Sequence, residues 1–368
     1  MTSVMSHMSQ LRMITFQSLS EAAVSSRCVL AGAPAAALAD AAAPSPVSVA
    51  CPPQSPDAPA AAATSPPFLP REEVLRLGSD VGRLCAALLE HAPPDPPGRS
   101  PLPGGGAEGE GGTASPFPAT LADVPGSFWA DGRPPGPGGR PESDPTPTAA
   151  AGTPGRRAIA RAMGAAFVGL FVTAHTCGLD LRTCVLKKLE LNGRKYPVEL
   201  CRGKSDKYTE YTNETGITAE IRSQSTVGKK SSAGGGGGDI VADVADPSLT
   251  VSGVTSRIRR FATDRSWNRY HTPRNIVLAM MGEVGELAEC FQWRGDDQGP
   301  GAAPVGLEGW PAEEVDHVGQ ELADVSIYLM RLADVCGIDL AREAMAEAKA
   351  MADSAAVEDT DGKELYDS

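Results

Sequence analysis

Apolar residues recur every three or four positions along the last third of the chain, as they do in helices that bury one face. The pattern is clearest in two stripes, Val277 to Phe291 and Val318 to Cys336. Four helices are predicted from it, over 252–267, 273–291, 311–335 and from 340 onward. We therefore predict an all-α fold, with a four-helix bundle over residues 251–352.

The ends of these helices carry their own signals. Thr272 followed by Pro273 is typical of an N-cap and a first helical position. Gly337 is typical of the residue that ends a helix, and Asp339 then caps the next one. These residues fix the predicted order of helix, loop and helix in the last third of the chain.

Most of the remaining chain has a composition that disfavours a packed core. The sequence holds 40 glycines and 32 prolines, and only 5% of its residues are aromatic. We predict disorder in a leader over 1–70 and in an insert over 97–155, a Gly-rich linker over 212–250, and an acidic tail over 353–368. Two further helical islands remain, at 71–93 and 156–211.

Charge narrows the range of partners. The formal net charge of -13 disfavours binding to nucleic acid or to anionic membranes, which attract basic surfaces. The longest apolar run, around residues 165–174, is about half the length needed to span a membrane. A single nucleotide stays compatible with this charge, because a bound metal ion can supply local positive charge.

The eight cysteines are scattered without a CxxC pair, which predicts free thiols in a reducing compartment and hence a cytoplasmic protein. An alternative concerns the first 35 residues. They carry Arg12 and Arg27 but only one acid, Glu21, which resembles a transit peptide for a mitochondrion or plastid. An unstructured Ala/Ser/Pro leader explains the same composition.

Two acidic pairs stand beside the apolar stripes. Glu283 and Glu286 lie three residues apart on the second predicted helix, and Glu321 and Asp324 lie three apart on the third. This spacing places each pair on one helix face, so that four carboxylates can converge. Such a set suits Mg²⁺ or Mn²⁺. The alternative for either pair alone is an ordinary solvated face.

The chain also contains an internal repeat. Cys177 to Leu181 matches Cys336 to Leu340 at an offset of 159, and Asp80 to Leu84 matches Glu283 to Leu287 at an offset of 203. In the first copy, which we place at 71–211, the acids are lost: alanines 162 and 165 and Arg83 occupy three of the four positions. We therefore predict a degenerate first copy and a catalytic second copy at 251–352.

Lys188 and Asn192 show the opposite loss. They lie four residues apart on the last helix of the first copy, where the second copy has Glu347 and Met351. On one helix face, the lysine can meet a phosphate and the asparagine a sugar or base. The alternative is again a solvated face.

Three stretches together form a recognisable signature: Trp267 to Asn275, Gly282 to Trp293 and Glu321 to Tyr328. They resemble the dCTP pyrophosphatase family of the MazG-like all-α NTP pyrophosphatase superfamily. The resemblance covers about residues 254–345 well. It implies a helical fold in which paired protomers enclose Mg²⁺ and hydrolyse a nucleoside triphosphate to the monophosphate and pyrophosphate. Tandem copies could satisfy one such pairing within a single chain.

The resemblance implies roles for particular residues. The four acids Glu283, Glu286, Glu321 and Asp324 would hold Mg²⁺, with Glu286 or Glu283 orienting the attacking water or accepting its proton. The pocket for the base and sugar would be lined by Trp267, Trp293 and Tyr328. The Lys and Asn of the family's last helix match Lys188 and Asn192 alone, and a histidine of its first helix falls on Ile258.

These observations predict a dCTP-hydrolysing enzyme of nucleotide-pool maintenance that forms homo-oligomers and whose active site combines both copies. Two alternatives stay open. The chain could be a catalytically weak or inactive nucleotide-binding assembly protein, because the second copy lacks its own Lys and Asn. The chain could also join the products of two neighbouring genes.

Overall fold

The computed structural model describes residues 14–30, 69–92, 153–204, 249–294 and 306–364, with side chains described to residue 27 in the first range and to 354 in the last. The described helices are α1 (Phe16–Leu30), α2 (Pro70–His91), α3 (Pro154–Thr176), α4 (Leu181–Lys195), α5 (Val198–Cys201), α6 (Val251–Asp264), α7 (Pro273–Gln292), α8 (Ala312–Val335) and α9 (Leu340–Glu364). The described residues contain no strand, which confirms the all-α prediction. Almost all of the predicted insert and of the predicted linker lies outside the described residues. The last two residues of the predicted insert, 154 and 155, lie in the first turn of α3.

The predicted helix ends of the last third are confirmed. The Thr272 hydroxyl accepts a hydrogen bond from the Asn275 amide at 3.2 Å, so it caps α7, with Pro273 as first helical residue. Gly337 follows α8 with a φ of 62°, which a glycine adopts readily. The Asp339 carboxylate then accepts from the Arg342 amide and caps α9.

The first predicted helix of this region is shorter than the apolar pattern indicated. α6 ends at Asp264, and Ser266 has a left-handed φ of 58°. The chain then makes a 3₁₀ turn over Trp267–Arg269. Trp267 is therefore in a loop that joins α6 to α7, and it does not continue the helix.

The predicted disordered leader contains a core helix, which corrects the prediction for residues 16–30. Phe16, Leu19 and Ala23 are spaced by three and four residues and are buried on one face of α1. The Phe16 ring packs edge-on against Phe167 and Phe171 of α3, at centroid distances of 6.5 and 5.9 Å. A transit peptide cleaved after residue 30 would remove this helix from the core.

The acidic tail is also corrected in part. The α9 backbone stays helical to Glu364, so most of the segment 353–368 continues the last helix. The described cysteines, 85, 177, 184, 201, 290 and 336, are free thiols, as predicted.

The helices divide into a first half, α1 to α5, and a second half, α6 to α9. In each half two helices pack face to face, α2 on α3 and α7 on α8. The last long helix of each half crosses to the other half: α4 packs on α8, and α9 packs on α3 and α1. An isolated antiparallel bridge joins Thr15 to Thr250, the residues just before α1 and α6. One hydrophobic core runs through both halves.

α3 is the central helix of this core. Its length and hydropathy satisfy the criteria for a membrane span, contrary to the expectation from the apolar run alone, and it is the one described helix that does so. However, 67% of the span window is buried against other helices. A helix that is apolar on all sides is also typical of the centre of a large core.

Candidate functional site

Three of the predicted acids converge where α7 packs on α8. Carboxylate oxygens of Glu283, Glu286 and Glu321 lie within 4.8 Å of one another. The apolar stripes of the two helices cause this, because Leu287 and Leu322 are fully buried in the shared core and fix the rotation of each helix. The acids then lie at the edge of the helix interface.

Glu321 is the most buried member of this carboxylate cluster, at 5% exposure. Its Oε1 lies 3.3 Å from Nδ1 of His317, while its Oε2 is buried without a hydrogen-bond partner. A buried carboxylate oxygen without a donor is costly. Hard oxygen donors around such an orphaned atom fit a divalent cation such as Mg²⁺ or Mn²⁺.

The fourth acid has a different partner. Asp324 lies outside the group of three, and its Oδ2 is 2.5 Å from Nζ of Lys188. Both side chains are largely buried, at 14% and 15% exposure. The lysine comes from α4 of the first half, which crosses to α8. The structure therefore brings a cation of the first half to the acids of the second half.

The acids raise one another's proton affinity. Burial and the neighbouring Asp324, Glu286 and Glu321 raise the pKa of Glu283 to about 7. Burial also raises the pKa values of Glu321 and Asp324, although Lys188 opposes both shifts. Since the charged carboxylates repel one another, a cation bound at this cluster would reduce their mutual repulsion.

Tyr328 lies beside the cluster, and Asn192 lies on the helix that carries Lys188. Tyr328 is one turn after Asp324 on α8, and burial together with Glu283 and Asp324 raises the pKa of its phenol well above the ordinary value. The hydroxyl is therefore a neutral hydrogen-bond donor. Asn192 is one turn after Lys188 on α4, so both side chains share a helix face.

Trp267 lies in an aromatic cluster built from both halves. Its indole meets Tyr196 edge-on at 5.4 Å and Phe261 at 5.8 Å, and it tilts against His271 at 6.3 Å. Trp293, by contrast, is 86% exposed at the C-cap of α7 and is not part of this cluster. The two predicted tryptophans of the base pocket are therefore not brought together.

A segment for which the sequence predicts no role forms hydrogen bonds with the Trp267 loop. Residues 196–203 follow α4, and we call them the clamp segment. The indole Nε1 of Trp267 donates to the Cys201 carbonyl at 3.2 Å, and the Tyr270 hydroxyl donates to the Gly203 carbonyl at 2.6 Å. The Gly203 amide donates to the Arg265 carbonyl at 2.8 Å. The available signal was the Lys- and Tyr-rich tail that the first copy has and the second lacks.

A buried network of charged side chains also binds the loop that holds Trp267. Arg331 of α8 donates from Nε to Nδ1 of His271 at 3.0 Å and from Nη2 to the Asn268 side chain at 2.7 Å. Its Nη1 pairs with Asp334, which also binds Arg259 of α6. Burial and Arg331 lower the pKa of His271 to about 3, so the imidazole is neutral. The sequence offered no periodicity signal for this network.

The equivalent position in the first half has a different chemistry. Asp80 pairs with Arg83, in the place of Glu283 and Glu286. A side chain at Gly169, in the place of Tyr328, would lie 3.1 Å from Asp80 Oδ2. With alanines at 162 and 165, this position holds one carboxylate of the four and no space for a tyrosine ring.

No protein-family model matches the chain. The chain is similar to curated proteins named dCTP pyrophosphatase 1, among them those of Mus musculus, Homo sapiens and Rattus norvegicus. It is 38% identical to that of Mus musculus over 123 residues, which are 33% of this chain and 66% of the relative. It is 43% identical to that of Homo sapiens over 94 residues, which are 26% of this chain and 52% of the relative. It is also 43% identical to that of Rattus norvegicus over 96 residues, which are 26% of this chain and 53% of the relative. The chain thus spans about half to two thirds of the relatives' length, and the resemblance to dCTP pyrophosphatases is confirmed.

Proposed function

We propose that this chain is a metal-dependent nucleoside triphosphate pyrophosphatase that hydrolyses dCTP and related deoxynucleoside triphosphates to the monophosphate and pyrophosphate. The observation that carries the proposal is the carboxylate cluster of Glu283, Glu286 and Glu321 beside the Lys188–Asp324 pair. The curated relatives named dCTP pyrophosphatase 1 support the choice of substrate.

The residues present fit Mg²⁺, with Mn²⁺ as a substitute. Glu283, Glu286, Glu321 and, once released from Lys188, Asp324 would hold the ion. When bound, Mg²⁺ supplies positive charge to the phosphate oxygens and lowers the pKa of a bound water. Glu286, the exposed acid of the cluster, is our candidate for orienting the attacking water or accepting its proton, with Glu283 as the other candidate.

The other residues bind and orient the substrate. Lys188 donates to a phosphate oxygen in exchange for its present contact with Asp324, and Asn192 meets the sugar or the base. Trp267 offers a ring for the base, and Tyr328 donates from its hydroxyl. The site therefore combines a metal-holding half with a half that supplies Lys188 and Asn192. We propose that the two halves arose as a tandem repeat with one degenerate copy.

We assign Trp293 a role in contacts between subunits of a homo-oligomer. Five large apolar side chains on α2, on α7 and at the C-cap of α7 are exposed: Leu75 at 70%, Leu89 at 70%, Leu278 at 65%, Met281 at 51% and Trp293 at 86%. An exposed apolar surface of this kind is typical of subunit contacts. We propose that the chain forms homo-oligomers through this surface, and that Trp293 reaches a base pocket in the assembly. We further propose a cytoplasmic location and no binding to nucleic acid.

A pyrophosphate-release panel tests the proposal. The purified full chain is assayed with all canonical ribonucleoside and deoxyribonucleoside triphosphates in Mg²⁺, in Mn²⁺ and in EDTA. We expect release that is highest with dCTP and absent in EDTA. Glu283→Gln should abolish it, whereas Glu289→Gln, the matched control on the same helix, should retain it. Binding of Mg²⁺ and dCTP without pyrophosphate release would instead support the nucleotide-binding assembly protein.

A further inference from the structure

The two crossings of α4 and α9 are equivalent contacts with opposite charge. α4 of the first half lies on α8 of the second, and α9 of the second lies on α3 of the first. Both contacts are close. A side chain at Gly164 of α3 would lie 2.8 Å from the Glu343 backbone of α9, and one at Gly319 of α8 would lie 3.1 Å from Cys184 Sγ of α4.

Lys188 on α4 and Glu347 on α9 occupy matching positions, 159 residues apart. Lys188 meets Asp324 at 2.5 Å, at the carboxylate cluster. The Oε2 of Glu347 lies 3.8 Å from Nε of Arg161 on α3, next to the Asp80–Arg83 pair. Each crossing helix therefore brings a charge opposite to the prevailing charge on the helix that it meets.

Pairing like with like would reverse this complementarity. If α9 lay on α8 of a second chain, Glu347 would join Glu283, Glu286, Glu321 and Asp324, and the site would lose its lysine. If α4 lay on α3 in the same way, Lys188 would join Arg83 and Arg161, with Asp80, already paired with Arg83, as the one acid among them. Like charges placed together at a largely desolvated contact disfavour association.

We propose that the opposite charges of Lys188 and Glu347 make the first half pair with the second half, in preference to either half pairing with another copy of itself. This pairing yields one carboxylate cluster with its lysine for each chain. The proposal concerns assembly alone, and it stands whether or not the chain hydrolyses dCTP.

The test uses the full chain with a specific protease site placed within residues 230–238. The purified protein is cleaved, unfolded in urea and refolded with both fragments present, and native mass spectrometry then gives the fragment composition of each particle. We expect equal numbers of first-half and second-half fragments in every wild-type particle. Particles made of one fragment type in the wild type would overturn the proposal.

The charge-swapped variant Lys188→Glu/Glu347→Lys tests the proposed role of the two charges most directly. It makes like-with-like pairing electrostatically favourable, so we expect the ratio of mixed to single-type particles to fall by roughly tenfold or more. Most of this fall should come from the largely buried Lys188–Asp324 contact, because Arg161 is 73% exposed. The neutral variant Lys188→Gln/Glu347→Gln is the matched control, and it should keep mixed particles. Mixed particles in the swapped variant at the wild-type ratio would refute the idea.

A single substitution decides the question if the swapped variant does not refold. Glu347→Lys keeps the Lys188–Asp324 contact and gives α9 a cation. We expect particles that contain only second-half fragments to appear with Glu347→Lys and not with Glu347→Gln. Identical particle compositions for these two variants would contradict the proposal.

Discussion

Nζ of Lys188 lies 2.5 Å from Oδ2 of Asp324, although the two residues belong to different halves of the chain. The pair joins the half of the chain that has lost its acids to the half that keeps them. In the proposed reaction the lysine leaves the carboxylate and meets a phosphate. The contact therefore marks the place where the two halves depend on each other for chemistry.

Lys188→Ala should lower kcat/KM for dCTP by roughly ten- to a hundredfold, because a hydrogen bond to a charged group contributes about 1.5–3 kcal/mol. Asn192→Ala should have a smaller effect in the same direction. Lys187→Ala, an exposed neighbour on α4, is the matched control. Steady-state kinetics on the full chain provide the measurement, and an unchanged kcat/KM in Lys188→Ala/Asn192→Ala would rule out the composite site.

The sequence could predict the convergence of the acids on one interface, the caps of α7 and α9 and the glycine that ends α8, because each depends on spacing within one helix or one loop. Trp267 was placed on a helix because the apolar pattern continues to it, whereas the left-handed Ser266 ends α6 earlier. The sequence around Trp293 likewise contains no pattern that indicates its exposure. Both depend on contacts between segments far apart in the chain, which periodicity does not report.

α1 was missed for a related reason. Its apolar face is short and lies within an Ala/Ser-rich leader, so composition outweighed the spacing of Phe16, Leu19 and Ala23. The partner rings of Phe16 are on α3, more than a hundred residues later. The helix is stabilised by tertiary packing more than by its own propensity.

Leu19→Ala should therefore destabilise the protein. Leu19 is fully buried, and removal of a buried leucine side chain costs about 2–5 kcal/mol. Thermal unfolding followed by circular dichroism should show a lower Tm than the wild type. Ser25→Ala, on the exposed face of the same helix, should leave Tm within about 1 °C. Equal Tm values for the two variants would mean that α1 contributes nothing to the core.

Glu283 should by itself make the cation-free protein less stable as the pH rises from about 5 to 7.5. The pKa of Glu283 is raised from 4.5 to about 7 in the folded chain, so over this window the unfolded chain releases the proton first and is favoured. Glu283→Gln should remove this loss of stability, so its Tm at pH 7.5, relative to its Tm at pH 5, should be higher than in the wild type. Glu289→Gln should keep this loss.

The pKa of His271 and one further measurement bear on this test. The depressed pKa of His271 gives the opposite slope below pH 6.5, but His271 is common to all three proteins and its effect cancels in the comparison. Added Mg²⁺ should raise Tm more at pH 7.5 than at pH 5, because protons compete with the cation for the carboxylates. Equal shifts at both pH values would contradict cation binding by Glu283.

Gly203→Ala should weaken dCTP binding through the clamp segment. Gly203 has a φ of 73°, which alanine adopts only under strain, so relief of that strain should shift the carbonyl that accepts from the Tyr270 hydroxyl. The added Cβ would also displace the end of the Arg269 side chain, whose Nη2 would lie 2.5 Å away. Strain of this kind costs roughly 1–3 kcal/mol. We expect a several-fold higher KM with kcat nearly unchanged.

Gly193→Ala is the matched control for that variant, because an added Cβ there meets no atom within 4 Å on α4. Alanine in the helix should keep KM and raise Tm slightly. A KM for Gly203→Ala equal to that of the control would show that the clamp segment does not position the Trp267 loop.

The crossing of α4 onto α8 also governs what happens during synthesis. α4 ends at Lys195, but its packing partner α8 ends only at Val335. At about 5–20 residues per second, the ribosome needs on the order of ten to thirty seconds to make the intervening chain. During that interval the nascent first half exposes the apolar surfaces that α8 and α9 will cover. The first half can therefore complete its core only after α8 and α9 have been made, and until then its exposed apolar surface favours binding to chaperones.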